Sequence, residues 1–489
     1  MKKALLISLF AAASTLGAQH FGPIANGQYA GVHATKINPA LTAYSAYNWH
    51  VNLVGAWGNV NNNYLSLHLP YSIYRLRNNS MPAQYKNDNG NPIFDTSWLH
   101  EHLNGLNKHA AAGAMIYGPS FTVKIKNFHV GLVTEATGLA RISGLDESIA
   151  HALYKELDTS RGAFDLFKWD SKDNFSLHRT TISANAWMAV GANVSYAIPL
   201  EWKQQALVGI TLKKVFGFGG GYMQWGDMIA RRVNNDSITL NRTNIRYAQY
   251  GNNGRGTGLD IGAAWVYHKP EYKQAGGYKD NHSNYFLKLG FSLLDIGRIR
   301  YREAYTAQAV NNRVVGWNVA DKKAQFENQT PGSDLVDALV NEIPAFRSGN
   351  ETEYIGLPTR MAITADYQFK KHWYLNGTWL QSMRGRYSKH ARHQSYLMIA
   401  PRYEVDFFEF SLPVFMEYDY RSLRAGASLR LGPLYLGTNS LLTMIRAKGM
   451  RDADFYIGIT LSDIPGNWKD RWLKEHENKR TSSEDCEKM

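Results

Sequence analysis

Apolar and polar residues alternate with a period of two along most of this chain. In 408–418 the even-numbered positions are apolar or aromatic, and in 361–369 and 285–293 the odd-numbered positions are. A period of two places the two classes on opposite faces of a β-strand. The pattern therefore predicts many antiparallel strands with one apolar and one polar face.

The N-terminus indicates export. Lys2 and Lys3 precede an apolar run from Ala4 to Ala13, and Ala18 offers a small residue before a cleavage site. A positive start, a short apolar run and a small residue are the parts of a cleavable signal peptide, for which the run is too short to span a bilayer. We predict a signal peptide at 1–18, with a buried N-terminal helix as the alternative.

Composition favours a membrane barrel over a soluble sandwich, although both show alternation. Charged residues make up 19% of the chain, which also has 29 Tyr and 13 Trp, whereas soluble proteins carry about 25% charged residues. Barrel strands take apolar residues toward lipid, polar residues toward the lumen and aromatic residues at the interfaces. The predicted fold is all-β: a transmembrane antiparallel β-barrel of 14–16 strands in the outer membrane.

Connection lengths give a strand count, since bacterial barrels alternate short periplasmic turns with long external loops. The sequence predicts short turns at 432–433, 405–406, 370–371, 295–297, 251–256, 198–205 and 127. It predicts longer external connections at 446–451, 384–393, 311–357, 270–282, 225–236, 144–176 and 71–110, with a short one near Asp419. A single bent first strand from Asn48 to Leu69 gives 16 strands, and 14 follow if one predicted strand has been split.

The predicted domains follow from these boundaries. Residues 19–47 form a plug or hatch, with a disordered arm as the alternative; 48–464 form the barrel; 465–489 form a charged periplasmic tail. Two external loops contain helix-like patches, at Asp146 to Asp158 and from Ser333 to Ile343. Their apolar faces are more typical of packing surfaces than of ligand sites.

A family resemblance rests on short motifs. Asn38-Pro39-Ala40, between signal and first strand, resembles the segment ahead of the barrel in the long-chain fatty-acid transporter (FadL-like) superfamily. Residues 293–297 and 357–360 look like a turn and a strand start in the same group, and 411–433 resemble an uncharacterised branch related to the type IX secretion barrel subunit. The resemblance implies a transport barrel; no ligand-contacting residue can be matched.

Two further sets of residues are candidates for function. Gly217, Gly219, Gly220 and Gly221 interrupt a strand, where glycines permit a bend or bulge that could open a lateral exit. Lys288, Asp366, Glu409, Arg424 and Arg430 are expected to face the lumen and to pair across it. A paired network indicates a plugged barrel and a stripe of one sign a selective pore, and the sequence leaves both open.

Nothing in the sequence points to catalysis or to a cofactor. His100-Glu101-His102 is a weak metal motif, and Gly217–Gly221 lacks the Lys-Ser/Thr of a phosphate loop. The sole cysteine, Cys486, excludes an internal disulfide. The basic loop 384–393 is either solvated or in contact with anionic lipopolysaccharide or a partner, and no nucleic-acid motif occurs.

The predicted function is transport of a small hydrophobic compound across the outer membrane, without enzymatic activity. Outer-membrane lipid, lipopolysaccharide and a small hydrophobic ligand are the expected partners. The alternative is a non-transporting partner or shuttle in protein secretion or surface assembly, which would bind secretion-system proteins.

Overall fold

The computed structural model describes residues 22–72, 75, 78–93, 95–158, 174–177, 179–201, 203–226, 228–234, 237–241, 243–268, 285–311, 315–318, 346–441 and 449–463. The predicted signal peptide, the charged tail and the helix expected after Ser333 lie outside these ranges. Among the described residues, no helix is both long and apolar enough to cross a membrane.

Strands make up most of the described chain, as the period of two predicts. The helices are α1 (Gly22–Ala25), η1 (Gly31–Lys36), η2 (Pro39–Tyr44), η3 (Ala83–Tyr85), η4 (Thr96–Trp98) and α2 (Glu147–Asp158), where η denotes a 3-10 helix. The strands are β1 (Trp49–Asn62), β2 (Leu65–Leu67), β3 (Leu99–Glu101), β4 (Lys108–Tyr117), β5 (Ser120–Ile125), β6 (Phe128–Leu145), β7 (Asn174–Leu177), β8 (Thr180–Glu201), β9 (Gln204–Gly226), β10 (Met228–Asn234), β11 (Ser237–Asn241), β12 (Thr243–Tyr250), β13 (Gly254–His268), β14 (Tyr285–Asn311), β15 (Val315–Asn318), β16 (Phe346–Gly356), β17 (Arg360–Lys370), β18 (Trp373–Ser382), β19 (Tyr396–Glu404), β20 (Phe408–Ser411), β21 (Val414–Glu417), β22 (Ser422–Ala425), β23 (Ala427–Leu431), β24 (Leu434–Thr438) and β25 (Asp452–Ser462).

The main sheet closes on itself. Over the described ranges it contains 19 strands. Its first strand, β1, pairs with the last strand, β25, on one side and with β4 on the other. Ala56 of β1 faces Ile457 of β25 and also Ile116 of β4, both in antiparallel register. Closure leaves no unpaired edge, so the all-β antiparallel barrel that the sequence predicts is confirmed.

In the part of the chain that the structure describes, the barrel has 14 crossings from one end to the other. Five crossings are each split into two strands, namely β4 with β5, β12 with β13, β16 with β17, β20 with β21 and β22 with β23, so the 19 strands give 14 crossings. The range of 14–16 therefore holds at its lower limit, and the count of 16 is wrong. The first strand ends at Asn62 rather than Leu69.

Two predicted turns are wrong and account for the difference. Residues 295–297 lie inside β14, and 251–253 merely separate β12 from β13 within one crossing. The end of β13 at His268 and the start of β14 at Tyr285 consequently lie at the end of the barrel where the short turns lie, whereas the prediction placed the connection 270–282 at the opposite end. We call the end with turns 126–127, 371–372 and 432–433 the short-turn end, and the other the long-connection end.

The outer face of the barrel is apolar, with aromatic rings near the short-turn end. The side chains of Phe286, Phe291, Ile363 and Phe369 are all more than a third exposed. Ring contacts run from crossing to crossing near the short turns, in the pairs Phe128–Tyr196, Tyr267–Phe286, Phe286–Tyr367, Trp373–Tyr403 and Tyr403–Phe408. An exposed apolar wall with an aromatic girdle is the surface that a bilayer requires of a membrane-spanning barrel.

The N-terminal segment lies inside the barrel. Every residue from Gly22 to Tyr47 is buried, and we call this segment the plug. The Tyr29 hydroxyl donates to Asp406 in a short turn, at 2.5 Å, and Gln28 reaches the Tyr374 hydroxyl at 2.8 Å. The plug thus occupies the lumen from the short-turn end inward.

Candidate functional site in the barrel lumen

Asn38 of the Asn-Pro-Ala segment anchors the plug to the barrel wall. Its side-chain oxygen accepts from the Ala40 N–H at 2.9 Å and so caps η2, in which Pro39 is the first residue. Its side-chain nitrogen donates to the carbonyls of Ala263 in β13 and Phe291 in β14, at 3.0 and 3.2 Å. One amide side chain therefore caps the N-terminus of η2 and ties this helix to two neighbouring crossings.

Three wall glycines make room for this segment. A Cβ on Gly209 would lie 2.5 Å from the Ala40 nitrogen, and one on Gly262 would lie 2.0 Å from the Asn38 side-chain oxygen. On Gly290 it would lie 3.0 Å from the Asn38 side-chain nitrogen. The plug packs directly on strand backbone, because these positions lack side chains. The sequence does contain a signal for this contact, because each glycine occupies a lumen-facing position of a strand.

A six-charge network joins the plug to five crossings. We define it as Lys36 of the plug with the wall residues Glu135, Lys213, Asp260, Asp295 and Arg360, all buried or nearly so. Lys213 bridges Asp260 at 2.8 Å and Asp295 at 2.6 Å, and Lys36 pairs with Glu135. Arg360 approaches Asp295 at 3.4 Å. Three cations and three anions balance, as buried charges must.

The five lumen charges that the sequence predicts are all buried and lie beside opposite charges. Lys288 is 3.4 Å from Asp366, and Arg430 is 3.4 Å from Glu409. Arg424 pairs with Glu417 at 3.4 Å and with Asp452 at 2.5 Å. The sequence left open whether these charges form a paired network or a stripe of one sign. The arrangement in the structure is a paired network.

The Lys288–Asp366 pair also reaches the plug. Lys288 donates to the Asn26 carbonyl at 2.9 Å. Arg402 bridges Asp366 at 2.9 Å and Glu404 at 2.8 Å, and Glu404 accepts from the backbone N–H of Gln28 at 2.7 Å. Charged side chains of the wall therefore bind the backbone of the plug and also pair with one another. These contacts fix the plug against several crossings.

A cavity of about 190 Å³ lies on the other side of this core, toward the long-connection end. Its lining combines asparagines and arginines with an apolar floor made by Trp57 and Leu139. Trp57 belongs to the same apolar cluster as Ile24, Val32 and Ile37 of the plug, against which Leu139 also packs. A molecule in the cavity would therefore rest on the group of side chains that holds the plug.

The basic loop covers this cavity instead of extending into solvent. Arg386 and Arg392 bind Asp419 at 2.7 and 2.6 Å, and Lys389 binds Glu353 at 2.5 Å. Arg384 donates to the Leu357 carbonyl at 3.0 Å. The four charged side chains of 384–393 that the sequence offered for external contact are thus engaged within the protein.

The Asp419 ion pairs make this cover sensitive to acid. Burial alone would raise the pKa of Asp419, but the hydrogen bonds and charges of Arg392 and Arg386 lower it to about 2. Because the folded-state pKa lies below the usual 3.8, these pairs stabilise the loop above that pH, and the stabilisation is lost as pH falls toward 2. We expect pepsin to cleave 383–395 in the detergent-solubilised protein increasingly between pH 4 and pH 2.

Asp419→Asn provides the comparison for this prediction. The asparagine side chain is neutral and does not titrate. After correction for the pH dependence of pepsin itself, cleavage of this variant should therefore be high and constant between pH 4 and pH 2. Equal protection of the wild-type loop at both ends of the range would contradict the prediction.

The regular strand pairing is interrupted on both sides of the glycine-rich stretch of β9. Gly219 and Gly220 have positive φ angles of 132° and 153°, and the pairing with β8 shifts between Ala186 and Trp187. On the other side, the stretch faces the break between β12 and β13. The Tyr301 ring covers it from inside, since a Cβ on Gly217 would lie 2.3 Å from the Tyr301 hydroxyl.

The remaining sequence candidates take part in contacts between external connections. Glu101 accepts from the Tyr64 hydroxyl at 2.6 Å and pairs with His151 of α2 at 2.7 Å, while His102 contacts Ser66 at 2.9 Å. The apolar cluster of Leu67, Leu69 and Leu99 packs against Tyr154 of the same helix. In the part of the chain that the structure describes, no three His, Cys, Asp or Glu side chains are grouped to hold a metal ion.

One family model matches part of the chain. A family of unknown function, DUF5723, matches residues 228–439, which is less than half of the chain. No curated protein matches. The matched segment covers β10 to β24 and therefore excludes the plug and the first crossings.

Solved structures give distant likenesses. A FadL homologue from Pseudomonas aeruginosa is 12% identical, with a TM-score of 0.37, over 87% of this chain and 92% of that one. The toluene transporter TodX from Pseudomonas putida is 8% identical, with a TM-score of 0.28, over 92% and 95%. The translocator domain of the autotransporter NalP from Neisseria meningitidis is 10% identical, with a TM-score of 0.28, over 84% and 88%. None of these supports the resemblance to a type IX secretion subunit, and at such scores they assign no substrate.

Proposed function

We propose that this protein is an outer-membrane transporter that admits a small, largely hydrophobic compound, and that it has no enzymatic activity. The apolar outer wall supports a place in a bilayer, and the predicted signal peptide supports export to the outer membrane. By the usual arrangement of such barrels, the short turns face the periplasm and the long connections face outward. The plug then blocks the periplasmic half of the lumen.

The observation that carries the proposal is the cavity above the plug. It lies at the external half of the lumen, and Trp57 and Leu139 form its apolar floor. Ligand sites in proteins are commonly concave and apolar with a few placed polar groups, and here those groups include Asn59 and Arg141. Because the floor packs on the plug's own apolar cluster, a ligand bound there is placed to act on the plug.

The secretion hypothesis gains no support from the loops. Its argument was the long loops with apolar helical patches. In the first patch, α2, Tyr154 packs on Leu67, Leu69 and Leu99 of another connection of the same protein. The second patch, from Ser333 to Ile343, lies outside the described residues. Transport remains the function that the geometry favours.

Filling the cavity should block uptake. Ala111 of β4 lines the cavity. Ala111→Phe should lower uptake of radiolabelled toluene or decanoate by about tenfold, since the added ring would fill much of a cavity of about 190 Å³. The matched control is Ala114→Phe, three residues along the same strand on the lipid-facing side, which should transport normally. Uptake would be measured in cells that produce each variant at equal levels.

Both probes are needed because the compound is not identified. Uptake of either probe above that of cells lacking the protein, and its loss in Ala111→Phe alone, would support the proposal. Equal uptake with and without the protein for both probes, together with no hydrophobic molecule in lipid extracts of the purified protein, would contradict it.

A further inference from the structure

Among the described residues, the outward-facing surface of the strands is apolar almost throughout, and away from the short turns its positive side chains are concentrated in one place. Arg246, Arg298 and Arg302 are exposed there on β12 and β14. Lys214, Arg255 and Arg300 are exposed beside them on β9, β13 and β14. These three crossings adjoin one another, so the cations form one patch.

Strand register arranges four of these cations as a compact group. Thr257 of β13 lies opposite Lys214 of β9 and opposite Arg298 of β14, which gives one row. In the next outward-facing row, Arg255 lies directly opposite Arg300. We call Lys214, Arg255, Arg298 and Arg300 the basic quartet; it surrounds the Thr257 hydroxyl.

The positive charge of the quartet is not neutralised by carboxylates of the described residues. Directly opposed side chains in a sheet have Cβ atoms about 5 Å apart, and like charges at that distance destabilise the pair. Among the described residues no carboxylate forms an ion pair with any of the four. Their ring contacts are with Phe216, 5.4 Å from Arg255, and Tyr354, 4.7 Å from Arg298. Two exposed carboxylates, Glu303 and Glu351, lie farther toward the long-connection end.

The position of the quartet indicates which anion it would bind. The outward-facing row next to it, toward the short-turn end, is Leu212, Leu259 and Ile296, all in one register. Apolar residues then continue along β14 through Phe291 and Leu289, both exposed. The quartet therefore borders the lipid-facing wall at its external edge, where a lipid's acyl chains meet its headgroup.

We propose that the basic quartet is a binding site for the phosphate groups of lipopolysaccharide, whose acyl chains lie along Leu212, Leu259 and Ile296. Arginine suits this ligand because its planar guanidinium forms paired hydrogen bonds with phosphate oxygens. Bound phosphate also removes the repulsion between Arg255 and Arg300. The basic loop 384–393 does not compete for this role, because its charges bind Asp419 and Glu353.

The test compares lipopolysaccharide retained by two charge-matched variants. Arg255→Gln with Arg300→Gln removes two cations from the quartet, and Lys370→Gln with Lys371→Gln removes two exposed cations at the short-turn end. We expect the first pair to retain about tenfold less lipopolysaccharide than wild type after detergent purification, since charge-assisted phosphate bonds are lost. The second pair should retain as much as wild type.

Thermal unfolding separates the lipid from free anion. A ligand that binds only the folded state raises its melting temperature, so intact lipopolysaccharide should stabilise delipidated wild type, while dephosphorylated lipopolysaccharide and inorganic phosphate should not. The Arg255/Arg300 variant should show no such rise. Equal retention by both variants, equal loss in both, or an equal rise with inorganic phosphate would each overturn the assignment.

Discussion

Replacing Gly262 with valine is expected to detach the plug from the wall and open the barrel. The new Cβ would lie 2.0 Å from the Asn38 side-chain oxygen and 2.9 Å from Pro39. Overpacking of this kind costs about 1–3 kcal/mol, and each lost Asn38 hydrogen bond adds about 1 kcal/mol. A total near 3 kcal/mol shifts the ratio of docked to undocked plug about 100-fold. The measurement is single-channel conductance in planar bilayers, which should change from rare brief openings to long-lived ones.

Gly138→Val is the matched control. A Cβ on Gly138 meets nothing within 4 Å, so the same substitution in a strand should leave conductance at the wild-type level. Asn38→Ala should give an intermediate result, because it removes the bonds without introducing a clash. Long-lived openings in wild type, or a Gly262→Val barrel as closed as wild type, would show that the docked plug does not close the lumen.

Replacing Lys213 with methionine should cause the largest loss of stability among the single substitutions considered. Lys213 is the cation between Asp260 and Asp295 at the centre of the six-charge network. Methionine matches its length but leaves three buried carboxylates with two cations. Breaking a buried ion pair by removing one partner costs about 3–5 kcal/mol. The free energy of unfolding, from urea titration of the protein in detergent micelles, would show the loss.

Two further variants make this result specific. Lys370→Met removes an exposed lysine at the end of β17 and should change the unfolding free energy by less than about 0.5 kcal/mol. Adding Asp260→Asn to Lys213→Met removes one of the unpaired carboxylates and should recover part of the loss. A double variant less stable than Lys213→Met would argue against charge imbalance as the cause.

The fold follows from the sequence to a large extent because alternation is a local signal. Each strand facing lipid on one side and a filled lumen on the other needs the period of two, and stretches such as 408–418 show it without tertiary information. The closure of β1 onto β25 follows once the strands are known to have no free edge. The docking place of the plug did not follow, since it depends on glycines of three crossings meeting one segment.

Turns and bulges are where sequence reasoning fails, because both use the same residues. Asp295 in 293–297 reads as a turn, yet it has a positive φ of 55° within β14 and its N–H donates to Asp260 at 2.7 Å. The register between β13 and β14 shifts next to Asp260, as at a bulge. Glycine at 251–254 likewise marks a break opposite Gly219 and Gly220. Two falsely predicted turns raise the number of predicted strands by two. The number stays even, so both chain termini are still predicted at the same end of the barrel.

The lumen charges were predictable singly but not as a network. Arg430 and Glu409 lie on lumen-facing positions that alternation identifies, and both are buried. Lys213 was missed because it stands beside Lys214, and one register step decides which lysine faces inward. Lys36 was missed because the plug has no periodic pattern. Partners separated by many residues, such as Lys36 and Glu135, require the three-dimensional arrangement.

The seam of the barrel, where β1 pairs with β25, has a consequence for assembly. The Asp463 carboxylate binds the backbone N–H groups of Asn48 and Trp49, at 3.0 and 2.9 Å, and joins positions 415 residues apart. Such long loops are slow to close, because chain entropy is lost before any contact forms. Asn38, eleven residues before β1 begins at Trp49, is held by β13 and β14 in the middle of the chain. Docking of the plug therefore holds the start of the chain against its middle, and this shortens the loop that must close when β1 pairs with β25.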